Sequence, residues 1–162
     1  KRCAEQLVES FCKTYDKRYR IIRLSNVYGA GDSGASKKKN ALQYLIDNMK
    51  EDKEIGLYHG GNFIRDYLHV SDTCEAIKLV IEKSKHDDIY NVGSGVPYRF
   101  LDLINTAKKE LKSNSKISSV EPPDFHKIVQ VKDMYLNTEK IKSLGFKPKI
   151  SIDEGIKSLC QV

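Results

Sequence analysis

No apolar run in this sequence approaches the ~20 residues that span a bilayer, and the opening Lys1-Arg2-Cys3-Ala4-Glu5 lacks the continuous apolar core of a signal peptide. A cytoplasmic protein without a membrane partner is expected. Cysteine is scarce and scattered: Cys3, Cys12, Cys74 and Cys160 show no CxxC spacing, which argues against a metal site or a disulfide framework. Three of them fall within apolar helical patterns, and all four are expected as buried or half-buried small apolar residues. No G-x-G-x-x-G or G-x-x-G-x-x-G turn stands between a strand and a helix, so the chain carries no pyrophosphate-binding fingerprint of its own. Internal repeats, low-complexity tracts and a clear interdomain linker are absent as well.

What is present fits one compact unit. The chain has 162 residues, 40% hydrophobic and 31% charged, enough to bury a core of ordinary size. Its net charge of +6 points to an anionic partner: nucleic acid, a membrane surface or a diphosphate ligand. A nucleic-acid module would show an aromatic platform or a zinc finger. Here the aromatics are scattered rather than interleaved with Lys, and no nucleic-acid partner is expected. Lys37-Lys38-Lys39, preceded by Ser33, Gly34 and Ser36, reads as a solvated loop.

Periodicity supplies the elements. Ala4, Leu7, Val8, Phe11, Cys12 and Tyr15 share one face of a helix that must pack on something. Residues 20–25 make a short buried strand ended by Asn26 and the Gly29-Ala30-Gly31 turn. Helices are predicted around Ala41 to Met49 and Phe100 to Leu111, and strands over Ile55 to Tyr58, Arg65 to Val70 and Ile89 to Val92. Asp72 and Glu75 have capping-box spacing before a helix that runs on to Ile81. Ile117 to Val120 is extended, residues 138–144 form a short helix closed by Gly145, and Ser151 with Glu154 repeats the capping box before the last helix. Strands alternating with helices imply an α/β arrangement with partly parallel pairing.

Four motifs stand in order along this framework. Lys1 begins a helix, and a strand then delivers Ser25-Asn26-Val27-Tyr28-Gly29. Arg65-Asp66-Tyr67-Leu68-His69-Val70-Ser71-Asp72 follows, then Tyr90-Asn91-Val92-Gly93-Ser94-Gly95, and finally Lys140 to Pro148 with Ser151-Ile152-Asp153-Glu154-Gly155. In order and spacing they resemble the extended short-chain dehydrogenase/reductase family, the NAD-dependent nucleotide-sugar epimerases and dehydratases. The resemblance covers nearly the whole chain. It implies the C-terminal part of a Rossmann-like enzyme, with residues 1–30 ending the NAD-binding domain. Residues 31–162 would form the substrate-binding region, with one or two elements returning to the NAD domain.

The same resemblance implies roles, each beside a plainer alternative. Lys1 matches the Lys of the family's Tyr-x-x-x-Lys motif, which holds the nicotinamide ribose and lowers the pKa of the Tyr; it is otherwise an exposed terminal residue. Leu24 and Ser25 would line the nicotinamide. Asn26 would hydrogen-bond the diphosphate of a nucleotide sugar, or else be a turn residue. Arg65 would contact the same diphosphate through its forked guanidinium, or form a surface ion pair with Asp66. Asn40 would reach the sugar nucleotide, or cap a helix. Tyr67 reads as core or pocket wall. The implied activity is C4 oxidation and re-reduction, as in a UDP-glucose 4-epimerase; the alternatives are a 4,6-dehydratase and a non-catalytic binding or dimerisation fragment. The first helix resembles the family helix that packs between subunits, so a homodimer is expected. Two departures stand out: Gln130 occupies the position of a family Arg if Asp133 matches the family Asp, with His126, Lys127 or Lys132 near enough to supply the charge, and Ala30 replaces a Pro.

Overall fold

A computed structural model describes residues 1–32, 40–129 and 131–161, so the predicted loop at Lys37-Lys38-Lys39 and the position of Gln130 lie outside the described residues. The first helix, α1 (Arg2–Thr14), follows the predicted periodicity, but its stripe faces outward. Leu7, Val8, Phe11 and Tyr15 are exposed, and only Cys12 is buried. Two hydrogen bonds, at 2.9 and 2.6 Å, tie Glu5 of this helix to the Arg23 guanidinium. Arg23 lies on β1 (Arg20–Leu24), which pairs in parallel with β6 (Asp88–Val92).

Asn26 does not end that run of strand. It opens β2 (Asn26–Tyr28), because its backbone N–H finds the Asp66 carbonyl at 3.0 Å, and β2 pairs in parallel with β5 (Tyr67–His69). The single strand predicted over Arg65 to Val70 is two short ones, β4 (Ile64–Arg65) and β5, split at Asp66. Val70 already belongs to the next helix, α3 (Val70–Lys83). Asp72 is not its cap: His69 holds that position and its Nδ1 accepts from Ser71 N–H at 3.2 Å. Asp72 instead turns inward, buried, and accepts from the N–H groups of Lys149 and Ile150 at 3.0 to 3.1 Å.

Elsewhere the predicted elements stand. The helix α2 (Ala41–Lys50) precedes β3 (Ile55–Tyr58), which pairs in parallel with β8 (Ile117–Val120). A two-residue β7 (Tyr98–Arg99), antiparallel to β4, leads into α4 (Phe100–Leu111). After β8 come a short α5 (Asp124–Val129), with no periodic signal to announce it, and α6 (Glu139–Lys142). Gly145 closes α6 at φ +99°, donating to the Lys142 carbonyl at 2.8 Å. Before α7 (Ile152–Gln161) the capping box forms as predicted: Ser151 N–H and Oγ donate to Glu154 at 3.0 and 2.6 Å, and Glu154 N–H returns to Ser151 Oγ.

Two cores result. Leu42, Ile46 and Met49 of α2 pack with Ile104 of α4 and with Ile156 and Leu159 of α7. Val92 of β6 packs with Ala76 and Val80 of α3 and with Ile141 and Phe146 from the α6 region. The architecture is α/β and Rossmann-like, with parallel pairs predominating among the described strands. Cys12 is buried and Cys160 half-buried as expected, but Cys3 and Cys74 are exposed, because each falls on the outward face of its helix. Among the described residues no helix is long and apolar enough to cross a membrane, and no cluster of His, Cys, Asp or Glu could hold a metal.

Candidate active site

The carboxyl ends of parallel strands leave backbone groups and side chains facing a crevice, where ligands of open α/β sheets bind. Here a cavity of about 470 Å³ lies at that edge, with Ser25 and Asn26 from the β1–β2 junction, Asn40 and Arg65 among its polar lining. Its apolar wall includes Tyr58, Phe63, Tyr67 and Phe100, and the Phe63 and Phe100 rings stack at 5.0 Å.

Arg65 makes no pair with its neighbour Asp66. Its guanidinium donates to the carbonyls of Ile64 and Lys132 at 2.7 Å and of Val131 at 2.8 Å, and it lies 4.6 Å from the Phe63 ring centroid. Partial burial pulls its pKa below the usual value. Asp66 points the other way, fully buried. It accepts from Ser94 N–H at 2.9 Å, Ser94 Oγ at 2.7 Å, Gly95 N–H at 3.1 Å and Leu136 N–H at 3.2 Å. Gly93 makes this approach feasible, since a Cβ there would sit 2.5 Å from Asp66 Oδ2. The split between β4 and β5 thus aims one side chain at the cavity and the next into the fold.

Asn26 Nδ2 donates to the Asp66 carbonyl at 2.9 Å, reinforcing its backbone bond to the same oxygen. Asn40 adopts the plainer alternative: in a left-handed conformation it caps α2, its Oδ1 accepting from Gln43 N–H at 3.3 Å, while its Nδ2 donates to Asp32 at 3.0 Å. It lines the cavity while doing so. Tyr67 is a buried wall residue, and burial pushes its phenol pKa up.

Ser25, Asn26, Asn40 and Arg65 therefore meet around one cavity, whereas Lys1 and Leu24 are not among its lining residues. Lys1 is exposed at the start of α1, and Leu24, at the end of β1, is 47% exposed. The Ser25 hydroxyl is buried and has no hydrogen-bond partner among the described residues. The residues not foreseen are the aromatics Tyr58, Phe63 and Phe100, and His126 as a wall of the cavity. Tyr58 could have been found as the carboxyl end of a predicted strand; the others come together only in three dimensions. Asp133 accepts from Ile64 N–H at 2.8 Å, which holds the segment after α5 against β4.

Comparison with known proteins places these features in company. The profile of the NAD dependent epimerase/dehydratase family matches residues 1–93. A putative UDP-glucose 4-epimerase of Methanocaldococcus jannaschii is 28% identical over 153 residues, covering 94% of this chain and 48% of the relative. The human dTDP-D-glucose 4,6-dehydratase is 28% identical over 160 residues, covering 97% and 45%. Among solved structures, the UDP-glucose 4-epimerase of Thermotoga maritima with UDP-glucose superposes with a TM-score of 0.89 at 25% identity, over 99% of this chain and 50% of that one. The dTDP-glucose 4,6-dehydratase of Bacillus anthracis in complex with NAD gives 0.82 at 26%, over 98% and 48%. The chain spans about half the length of the curated relatives it matches.

Proposed function

The chain belongs to the NAD dependent epimerase/dehydratase family, and on that footing we propose that it forms the substrate-binding side of an NAD-dependent nucleotide-sugar epimerase that oxidises and re-reduces the sugar at C4. The observation that carries this reading is the composition of the cavity. A guanidinium and an amide stand beside a wall of aromatic rings, which suits a ligand with a diphosphate centre and a flat base. Arg65 would grip the diphosphate, its fork held by the carbonyls of residues 131 and 132, and Asn26 would add an amide donor. Asn40 would act at the rim, fixed there by its capping bonds.

The residues present fit the nicotinamide end of NAD. Ser25 offers a buried hydroxyl with no partner among the described residues, and Leu24 an exposed apolar side chain at the end of β1. When bound, NAD supplies the acceptor and donor of the sugar's hydride. Lys1 would hold the ribose hydroxyls, and its ammonium would favour the phenolate of a Tyr preceding it, so that this Tyr takes the sugar's hydroxyl proton. Residues 1–30 would end the NAD-binding domain and 31–162 form the substrate region. The separate core around α3 and β6, with β6 paired to β1, supports those two as returning elements. A homodimer is supported by the uncovered face of α1, and a cytoplasmic setting by the free thiols.

The 4,6-dehydratase reading is favoured by the likeness to the human and Bacillus anthracis dehydratases. Incubating the full-length protein and NAD with UDP-glucose and with dTDP-glucose separates the two. A UDP-galactose product supports the epimerase, a 4-keto-6-deoxy product the dehydratase, and binding of neither nucleotide sugar overturns both.

A further inference from the structure

Phe63 and Arg65 stand two residues apart at β4, and side chains at that spacing lie on one face of an extended chain. The guanidinium accordingly lies over the Phe63 ring, 4.6 Å from its centroid. Phe63 is braced in turn by the neighbouring strand. β4 pairs antiparallel with β7, Ile64 opposite Arg99 and Arg65 opposite Tyr98, so the next pair in that register is Phe63 and Phe100. Their rings stack at 5.0 Å and 16°, and the Phe100 N–H donates to the Phe63 carbonyl at 3.0 Å. Phe100, the first residue of α4, is buried in the larger core. A chain of contacts thus runs from Arg65 through Phe63 into the core.

The donors of Arg65 show what that chain is for. A guanidinium carries five N–H groups. Among the described residues, Nη1 makes two bonds, to the carbonyls of Ile64 and Lys132, and Nη2 makes one, to Val131. That leaves Nε–H and the second Nη2–H, which together form the side edge of the fork and match two oxygens of a phosphoryl group. Hydrogen bonds to carbonyls accept a broad range of angles, so three of them hold the group in place but leave its tilt loosely set. Contact with a flat ring fixes the tilt.

We propose that Phe63 is a positioning residue for nucleotide-sugar binding: its ring, braced by Phe100, holds the Arg65 guanidinium in the plane from which its free edge meets the diphosphate. The inference rests on the reading of Arg65 as the diphosphate contact. Phe63 acts through Arg65, so its effect on binding must vanish when Arg65 is removed.

A double-mutant cycle on the full-length protein with NAD tests this, with UDP-glucose and dTDP-glucose as the probes. Phe63→Leu keeps an apolar side chain but loses the ring face, and affinity by calorimetry should fall about three- to ten-fold, the worth of a partly desolvated cation–π contact. KM should rise by the same factor with kcat within about two-fold of wild type. Phe63→Tyr, which retains the face, should restore both affinity and KM. In an Arg65→Ala background Phe63→Leu should have no further effect. Phe63→Met takes its place in the cycle should the leucine variant melt below wild type. If Arg65→Ala binds the nucleotide sugar as wild type does, the reading of Arg65 falls and the role of Phe63 with it. If Arg65→Ala weakens binding but Phe63→Leu does not, or the two losses add, Phe63 does not act through Arg65 and its role alone is overturned.

Discussion

Gly155, inside α7, lies so close to the ring of Tyr28 that a Cβ on it would stand 2.6 Å from the phenol Cζ. Tyr28 is buried at the end of β2, so the ring has no room to retreat. One motif near the start of the chain and another near its end are thereby locked face to face. Asp66 against Gly93-Ser94-Gly95, and Asp72 against the N–H groups of residues 149 and 150, join the remaining motifs in the same manner.

Gly155→Ala tests the first of these contacts, because two effects of opposite sign compete. Alanine gains ~1 kcal/mol of helix propensity over glycine, while overpacking a buried ring costs about 1 to 3 kcal/mol. With a rigid aromatic as the obstacle the clash should win, for a net loss of about 1 to 2 kcal/mol in denaturant unfolding. In a Tyr28→Leu background the same substitution should be nearly neutral. Additive losses in the double variant would mean the two residues are not coupled.

Asp66→Asn removes one of two oxygens that together accept four hydrogen bonds in a buried site. An amide NH₂ would then face N–H donors it cannot satisfy, and we expect a loss of about 3 to 4 kcal/mol. The damage should be local to the junction of β4, β6 and the segment after α5. Hydrogen exchange should therefore accelerate at Ser94, Gly95 and Leu136 before it does in α2 and α4.

Arg65→Ala in the full-length protein should weaken nucleotide-sugar binding by about 1.5 to 3 kcal/mol, the range for a hydrogen bond to a charged group, with NAD affinity little changed. Because Arg65 also holds the carbonyls of residues 131 and 132, Arg65→Lys separates the roles. A lysine keeps the charge but loses the fork, so affinity should recover only in part. Unaltered sugar-nucleotide affinity by calorimetry in the alanine variant would remove Arg65 from the site.

The uncovered face of α1 predicts association. Leu7, Phe11 and Tyr15 are more than half exposed, and an apolar stripe of this kind drives self-contact. The 162-residue chain alone should be dimeric or larger and show no turnover with any nucleotide sugar. Phe11→Glu should shift it toward monomer. Light scattering that finds a stable monomer of the unaltered chain at micromolar concentration contradicts the first expectation, and measurable turnover contradicts the second.

Most elements are legible in the sequence, since a helix or strand announces itself by the spacing of apolar residues within a few turns of chain. The stripe of α1, the Ser151 and Glu154 capping box and the closing glycine at 145 are local signals of this type. Order and spacing of the four motifs also suffice to identify the family. Tertiary structure decided what local pattern cannot encode. The strands β2, β5 and β7 are two or three residues long and exist because their hydrogen-bond partners arrive from elsewhere in the chain. Asp72 has the spacing of a cap, yet the N–H groups of residues 149 and 150 take its carboxylate inward; Arg65 has an acid beside it, yet β4 and β5 part at Asp66 and send the two apart. The aromatic wall of the cavity likewise draws on Tyr58, Phe63 and Phe100, whose proximity depends on strand pairing and helix packing. Spacing along a chain specifies which face a residue shares with its neighbours, but what that face meets is set by contacts far away in sequence.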